Sequence, residues 1–194
     1  MCKCNNIYKY SESGLNHECG VLGIYGVPDA ANLAYYGLHA LQHRGQQGCG
    51  IVSVDSQGEF HRFKGDGLVT EVFNEDKISK LQGSMAIGHV RYSNAKCKGT
   101  ENIQPFLFHH NSGDFAMANN GQIANYVQLR NELEDRGSLF QSSSDAEVIA
   151  HLIKKQGTDK TLPRIYSIKS ALNMVDGAFA FVIMTGRRIY ACRD

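Results

Sequence analysis

Cys19 stands at the head of the apolar, β-branched run in NHECGVLGIYG, residues 16–26, directly after Glu18. A cysteine in that place has two readings. As a small buried thiol it needs no special neighbours, because free cysteine is among the most buried residue types. As a nucleophile it needs a base to turn thiol into thiolate. His89, in the strand-like GHVRY, is one candidate base, and equally a packed core histidine. The other candidate is the residue's own amine: if the chain were cut between Glu18 and Cys19, the new α-amino group would titrate at about 7.7–8.0, close to a thiol at about 8.5 and one Cβ from the sulfur. Further residues offer the groups such a site would use. Arg91, beside a polar loop, can grip a carboxylate through two parallel hydrogen bonds, or is a surface arginine. Asn120-Gly121 sets a side-chain amide beside a backbone N–H, a donor pair suited to a developing oxyanion, or forms the tight turn its dipeptide favours. Asp145 is explained by a helix N-terminus, or is the carboxylate that meets an ammonium. Arg44 caps a helix end against the dipole or belongs to the site.

The elements that must position these residues follow from periodicity. CGVLGIYG reads as a buried strand, and PDAANLAYYGLHALQ as a helix begun by Pro28-Asp29, with a stripe at Leu33, Gly37, Leu38 and Leu41. GIVSVD and EFHRFKG flank a hairpin turn at Ser56-Gln57-Gly58, and MAIGHVRYS is a further strand ending in a polar loop over 94–102. DFAMANNG reads as a strand running into a sharp Asn-Asn-Gly turn, followed by a helix from Asn125 to Gly137. Ser144 and Glu147 form a capping box that opens the helix AEVIAHLIKK. Ile165, Ile168, Leu172 and Val175 mark another amphipathic helix, before the strands AFAFVIMT and RIYACRD joined at Gly186. Strands this frequent, with helices in adjacent pairs, argue for antiparallel sheets covered by helices rather than a doubly wound parallel sheet.

Composition narrows the function classes. The 194 residues are 42% apolar, with three prolines, and suffice for one domain with its own core. Twenty Lys and Arg against nineteen Asp and Glu leave a net charge of +1 and no basic cluster for a phosphate backbone, so nucleic acid is not expected as a partner. The longest apolar run, AFAFVIM, is too short to cross a bilayer, and the first eighteen residues carry no apolar signal core. Six cysteines without a CxxC pair or disulfide spacing suit the cytoplasm, and Cys2-x-Cys4 lacks a second ligand pair, so no metal site is expected.

The stretches ECGVLGIYG, YGLHALQHRGQQG, FKGDGLVTEVF, AIGHVRYS, ENIQPF, ANNGQIAN, SSSDAEV and GAFAFVIM stand in this order. Together they resemble the amidophosphoribosyltransferases, whose N-terminal half is a class II glutamine amidotransferase domain of the N-terminal-nucleophile hydrolase type. The resemblance runs over roughly residues 15–194, and QHRGQ with KGDGLVTEVF sets it apart from the glucosamine-phosphate synthase and asparagine synthetase branches. It implies an α+β fold, a four-layer αββα sandwich of two antiparallel sheets, here C-terminally truncated. Residues 1–18 would be a propeptide and 19–194 the glutaminase domain, with the phosphoribosyltransferase domain absent.

Carried over by position, Cys19 would become the N-terminus and attack the carboxamide of glutamine. Asn120 and Gly121 would form the oxyanion hole, Arg91 hold the α-carboxylate and Asp145 the α-ammonium. Arg44 would order the nucleophile's surroundings, and Tyr92 and Asn94 would join the substrate pocket. Asn119 and Asn94 stand where the family usually has His and Thr. The resemblance implies no cofactor in this segment, although full-length members use Mg2+ in the phosphoribosyltransferase domain and some carry an iron-sulfur cluster. It also implies phosphoribosyl pyrophosphate as a partner only of that absent domain, a homo-oligomer at full length, and no membrane partner. The expected activity is hydrolysis of glutamine to glutamate and ammonia, the ammonia-supplying half of the first step of purine biosynthesis. The alternative is a non-catalytic remnant of the same fold, acting as a binding or regulatory module.

Overall fold

A computed structural model of the chain describes residues 19–92, 100–111, 113–157 and 163–194. The expected leader, Asn94 and the Cys2/Cys4 pair lie outside the described residues.

Short strands form two antiparallel sheets of four, the inner ones buried on both faces. The first holds β1 (Gly20–Tyr25), β2 (Gly48–Val54), β3 (Phe60–Asp66) and β4 (Met85–Arg91), in the order β1-β4-β2-β3. The second holds β5 (Phe106–Phe108), β6 (Phe115–Ile123), β7 (Gly177–Thr185) and β8 (Ile189–Arg193), in chain order. Between them lies an apolar layer of Val52, Val54, Met85, Ile87, Ala116, Val182 and Met184. Helix α1 (Ala30–Ala40) and the short α2 (Val69–Val72) and α3 (Glu75–Ser79) cover the outer face of the first sheet. Helices α4 (Tyr126–Asp135), α5 (Ala146–Gln156) and α6 (Arg164–Leu172) cover that of the second. The result is the expected four-layer αββα sandwich.

Four local expectations are corrected. Leu33 is 47% exposed, and α1 packs instead through Ala30, Ala31, Ala34 and Leu38; small residues let the helix lie close on the sheet, and a Cβ on Gly37 would press on the Leu22 side chain at 2.8 Å. Ile165 is exposed at the start of α6, where Ile168 and Ala171 face the core. Asn119-Asn120-Gly121 is not a turn: β6 continues to Ile123, each residue paired in unbroken register with β7. Gly121 adopts φ 127°, and a Cβ there would collide with the Ala178 carbonyl oxygen and with Phe179 Cα. Glycine serves close strand approach here, not chain reversal.

The capping box is the fourth. Ser144 Oγ accepts from Ala146 N, at 3.3 Å, rather than from Glu147 N. The Glu147 carboxylate, 1% exposed, turns back to accept from Gln141 N (2.8 Å), Ser142 N (2.7 Å) and Ser142 Oγ, with His151 Nε2 at 3.6 Å. It therefore ties down the loop before α5 instead of closing the helix end. Burial pushes this carboxyl up, but His151, the two N–H donors and the Ser142 hydroxyl outweigh it and hold the group below its ordinary 4.5. Its contribution to stability is therefore complete above about pH 4.5 and is lost as pH falls through the lower folded value. Glu147→Gln should cost about 1.5–3 kcal/mol at pH 7, and the gap to wild type should narrow as pH drops below about 4.5. Urea unfolding at several pH values checks this; a gap that does not vary with pH would show that the carboxylate's charge is irrelevant.

Candidate active site

Strand alternation brings the chemistry-bearing residues together. In β4, Ala86 and Val90 pack in the layer under α1, whereas Met85 and Ile87 face the second sheet; His89 and Arg91 continue the latter row. In β1, Val21 belongs to the same inner layer, and Cys19 precedes it by two residues. In β6, Ala116 faces inward while Met117 and Ile123 face the helices, so the unbroken register turns Asn120 toward the first sheet and Asn119 away from it. Asn119, expected to flank the pocket, is instead 3% exposed on the helix side. The β2–β3 and β7–β8 turns adjoin at one end of the sandwich, Gly186 lying against Gly58. Cys19, Arg91 and Asn120 occupy the opposite end.

Cys19 is half-buried and held by the main chain of Tyr92: Tyr92 N donates to Sγ at 3.4 Å and the thiol donates to Tyr92 O at 3.6 Å. Burial pushes the thiol above its ordinary 9.0; the Tyr92 N–H, the Arg91 charge and the residue's own backbone pull it down, and the Asp145 charge adds to the rise. The group rests as a thiol at neutral pH and needs a base to react. His89 is not suited to supply one: fully buried, it is driven by desolvation to about 3. The electrostatic reach of both Arg91 and Asp145 to the sulfur puts the three groups in one neighbourhood.

The QHRGQ stretch frames this corner. Arg44, in a single 3-10 turn over Gln42–Arg44, donates from Nε to the Cys19 carbonyl at 3.2 Å, so its guanidinium holds the Cys19 backbone. Gly45 lies on the main chain of β4, where a Cβ would come within 2.6 Å of Arg91 C. Gln47 N donates to Arg91 O at 3.1 Å. These contacts fix the end of the strand from which Arg91 projects.

Across the gap, β5 pairs only with Phe115–Met117, and no other strand among the described residues covers the rest of that edge of β6. Its N–H groups find side chains instead. Asn119 N donates to Gln104 Oε1 at 2.6 Å, and Ile123 N donates to Asp145 Oδ2 at 2.8 Å. Alternation turns the intervening Gly121 N–H to the same edge, between these two acceptors, and Gly121 is solvent-exposed. Asp145 also accepts from Ala146 N at 2.9 Å, so it is at once a helix cap and a group of the site. Burial pushes its carboxyl up despite these donors, and it makes no ion pair among the described residues.

Gln104, Asn102 and Ser143 were not legible from residue type. Asn102 Oδ1 accepts from Ser143 N at 3.0 Å and its Nδ2 donates to Ser143 Oγ at 3.0 Å, tying the Asp145 loop to the segment before β5. Two amides one residue apart in ENIQPF, a loop with no apolar period, were the available signal. Among the described residues, no group of three or more His, Cys, Asp or Glu is placed to hold a metal ion, and no helix is long and apolar enough to cross a membrane.

Known proteins are similar to this chain in sequence and fold. The glutamine amidotransferase domain family matches residues 89–194. The amidophosphoribosyltransferase of Bacillus subtilis strain 168 is 50% identical over 182 residues, which cover 93% of this chain and 37% of that protein. The amidophosphoribosyltransferase of Lacticaseibacillus casei is 48% identical over 186 residues, covering 95% and 94% of the two chains. The solved glutamine phosphoribosylpyrophosphate amidotransferase of B. subtilis, complexed with ADP and GMP, superposes with a TM-score of 0.82 at 49% identity, over 90% of this chain and 37% of its own. The chain thus spans little more than a third of the Bacillus protein's length. With the sequence match extending over nearly all of the residues described and the fold shared, the chain belongs to the amidophosphoribosyltransferase family and carries its glutamine amidotransferase domain.

Proposed function

We propose that this domain hydrolyses glutamine to glutamate and ammonia, with Cys19 as nucleophile. The observation that carries the reading is the meeting, at one end of the sandwich, of a sulfur under the fields of both Arg91 and Asp145 with the donor edge at Asn120-Gly121. Arg91 receives the α-carboxylate of glutamine. Asp145, a half-buried carboxylate that makes no ion pair among the described residues, receives the α-ammonium. Both contacts aim the carboxamide at Sγ, and such positioning is a large part of what a site of this kind contributes.

The Asn120 side-chain amide and the Gly121 N–H stabilise the oxyanion formed when sulfur adds to the carboxamide carbon. The base is the α-amino group of Cys19, freed by removal of residues 1–18. It takes the thiol proton and delivers it to the departing nitrogen, so the C–N bond breaks, ammonia leaves and a thioester remains. Water then cleaves the thioester, releasing glutamate and restoring the thiol. No cofactor enters this sequence. In a full-length protein of the family the ammonia would replace pyrophosphate on phosphoribosyl pyrophosphate, the first step of purine biosynthesis. N-terminal sequencing separates this from a non-catalytic module: a chain that retains residues 1–18 and hydrolyses no glutamine favours the module.

Cys19→Ser should abolish glutamine hydrolysis while Cys49→Ser leaves most of it. Cys49 is fully buried in β2 and desolvation pushes its thiol up to about 12, so it cannot replace the nucleophile. Equal loss in the two variants would remove Cys19 from the role given to it.

For Asp145→Asn, a helix cap alone predicts a stability cost of at most about 1 kcal/mol and nearly unchanged kinetics. The ammonium contact predicts a loss of about 1.5–3 kcal/mol in transition-state binding, that is about ten- to more than a hundredfold in kcat/KM. Steady-state hydrolysis beside a thermal melt decides between them, and an unchanged kcat/KM in the folded variant returns Asp145 to capping.

A further inference from the structure

Among the described residues, Asn102, Ile103 and Gln104 make no hydrogen bond to the side chains of Cys19, Arg91 or Asp145, yet each is tied to a different element around the site. Asn102, 9% exposed, engages Ser143 through both atoms of its amide; Ser143 stands two residues before Asp145. Ile103 is fully buried under Gly48, the residue opposite Arg91 in the first sheet, and its carbonyl accepts from Lys64 Nζ at 2.8 Å. Gln104, 7% exposed, takes the Asn119 N–H that no strand reaches, and its own carbonyl oxygen fills the place where Gly50 would carry a Cβ.

The two halves of the site are thus joined through three consecutive residues. The loop carrying Asp145 and the edge of β6 carrying Asn120 and Gly121 are otherwise linked by one hydrogen bond described here, from Ile123 N to Asp145. A donor edge left open for a substrate oxygen would drift if its neighbouring N–H were unsatisfied, because an orphaned buried N–H is costly and is relieved by local distortion.

We propose that Asn102 and Gln104 are positioning residues: Asn102 sets the Asp145 loop for glutamine binding, and Gln104 sets the edge of β6 for the oxyanion. The inference rests on the amidase reading above. It separates the two contributions, because an ammonium contact acts on bound substrate, whereas an oxyanion contact acts only as charge develops.

The test is steady-state glutamine hydrolysis by the full natural polypeptide and three variants, at a temperature where thermal melts show all of them folded. Gln104→Met, similar in length but without the amide, should lower kcat about tenfold while KM stays within about twofold. Asn102→Ala should raise KM about five- to tenfold with most of kcat kept, and Asn102→Asp, which keeps the acceptor for Ser143 N, should recover most of the affinity. A residue that only stabilises the fold would move kcat and KM together, in step with the melting temperature, and would not be rescued by Asp. That result, or unchanged kinetics in Gln104→Met and Asn102→Ala, overturns the proposal. A wild-type protein that hydrolyses no glutamine overturns the amidase reading itself and the proposal with it.

Discussion

An uncovered sheet edge is the constraint around which this molecule is arranged. β5 is three residues long and β6 nine, so the N–H groups of Asn119, Gly121 and Ile123 emerge beyond the last strand of their sheet. Buried amides do not go without partners, and an open edge invites wrong ones. Gln104 reaches in from before β5 and Asp145 from the start of α5, each filling one position. The middle one is left to Gly121, whose φ of 127° and contact with the β7 main chain no residue with a Cβ could reproduce. Between these two filled donors the Gly121 N–H meets no acceptor among the described residues, which leaves an open socket on this edge.

The opposing sheet supplies charge and sulfur to that socket. Neither is placed by a long-range force: both follow from the inward row of β1 and β4, in which Val21 and Ile87 are packed in the apolar layer and Cys19 and Arg91 continue past its end. A slip of one residue in the β1–β4 register, now pairing Gly20 with Val90, would turn the row toward α1. The buried core of the sandwich therefore fixes the geometry of the site, while the site's own polar groups adjust what that geometry does. Burial raises the thiol of Cys19 and the carboxyl of Asp145 alike, so both wait for a partner that suits the charged form.

Much of this was legible in the residues. Alternating strands and paired helices led to two antiparallel sheets, whereas residue type left Cys19, Arg44, Arg91, Asn120, Gly121 and Asp145 each with two readings, and only the family resemblance grouped them. The misreadings share a physical cause. Asn119-Asn120-Gly121 has turn chemistry, yet pairing with β7 overrides it because the glycine permits a close approach that a turn does not need. Ser144 and Glu147 have the spacing of a capping box, but the carboxylate finds two N–H donors and a hydroxyl in the preceding loop. Leu33 fits an apolar stripe, but alanines bring α1 closer to its sheet than leucine allows. Gln104 and Asn102 stayed hidden since an amide in a loop has no period, and only its partner across the fold gives it meaning.

The contacts that seat Cys19 have a directional character. Arg44 grips its carbonyl oxygen, the main chain of Tyr92 brackets its sulfur, and β1 anchors the chain from Gly20 onward. All three act on atoms downstream of the residue's own nitrogen. The sulfur and the carbonyl of Cys19 are thus seated without drawing on its nitrogen, and the position of the side chain is set by the strand that follows it rather than by whatever stands before it.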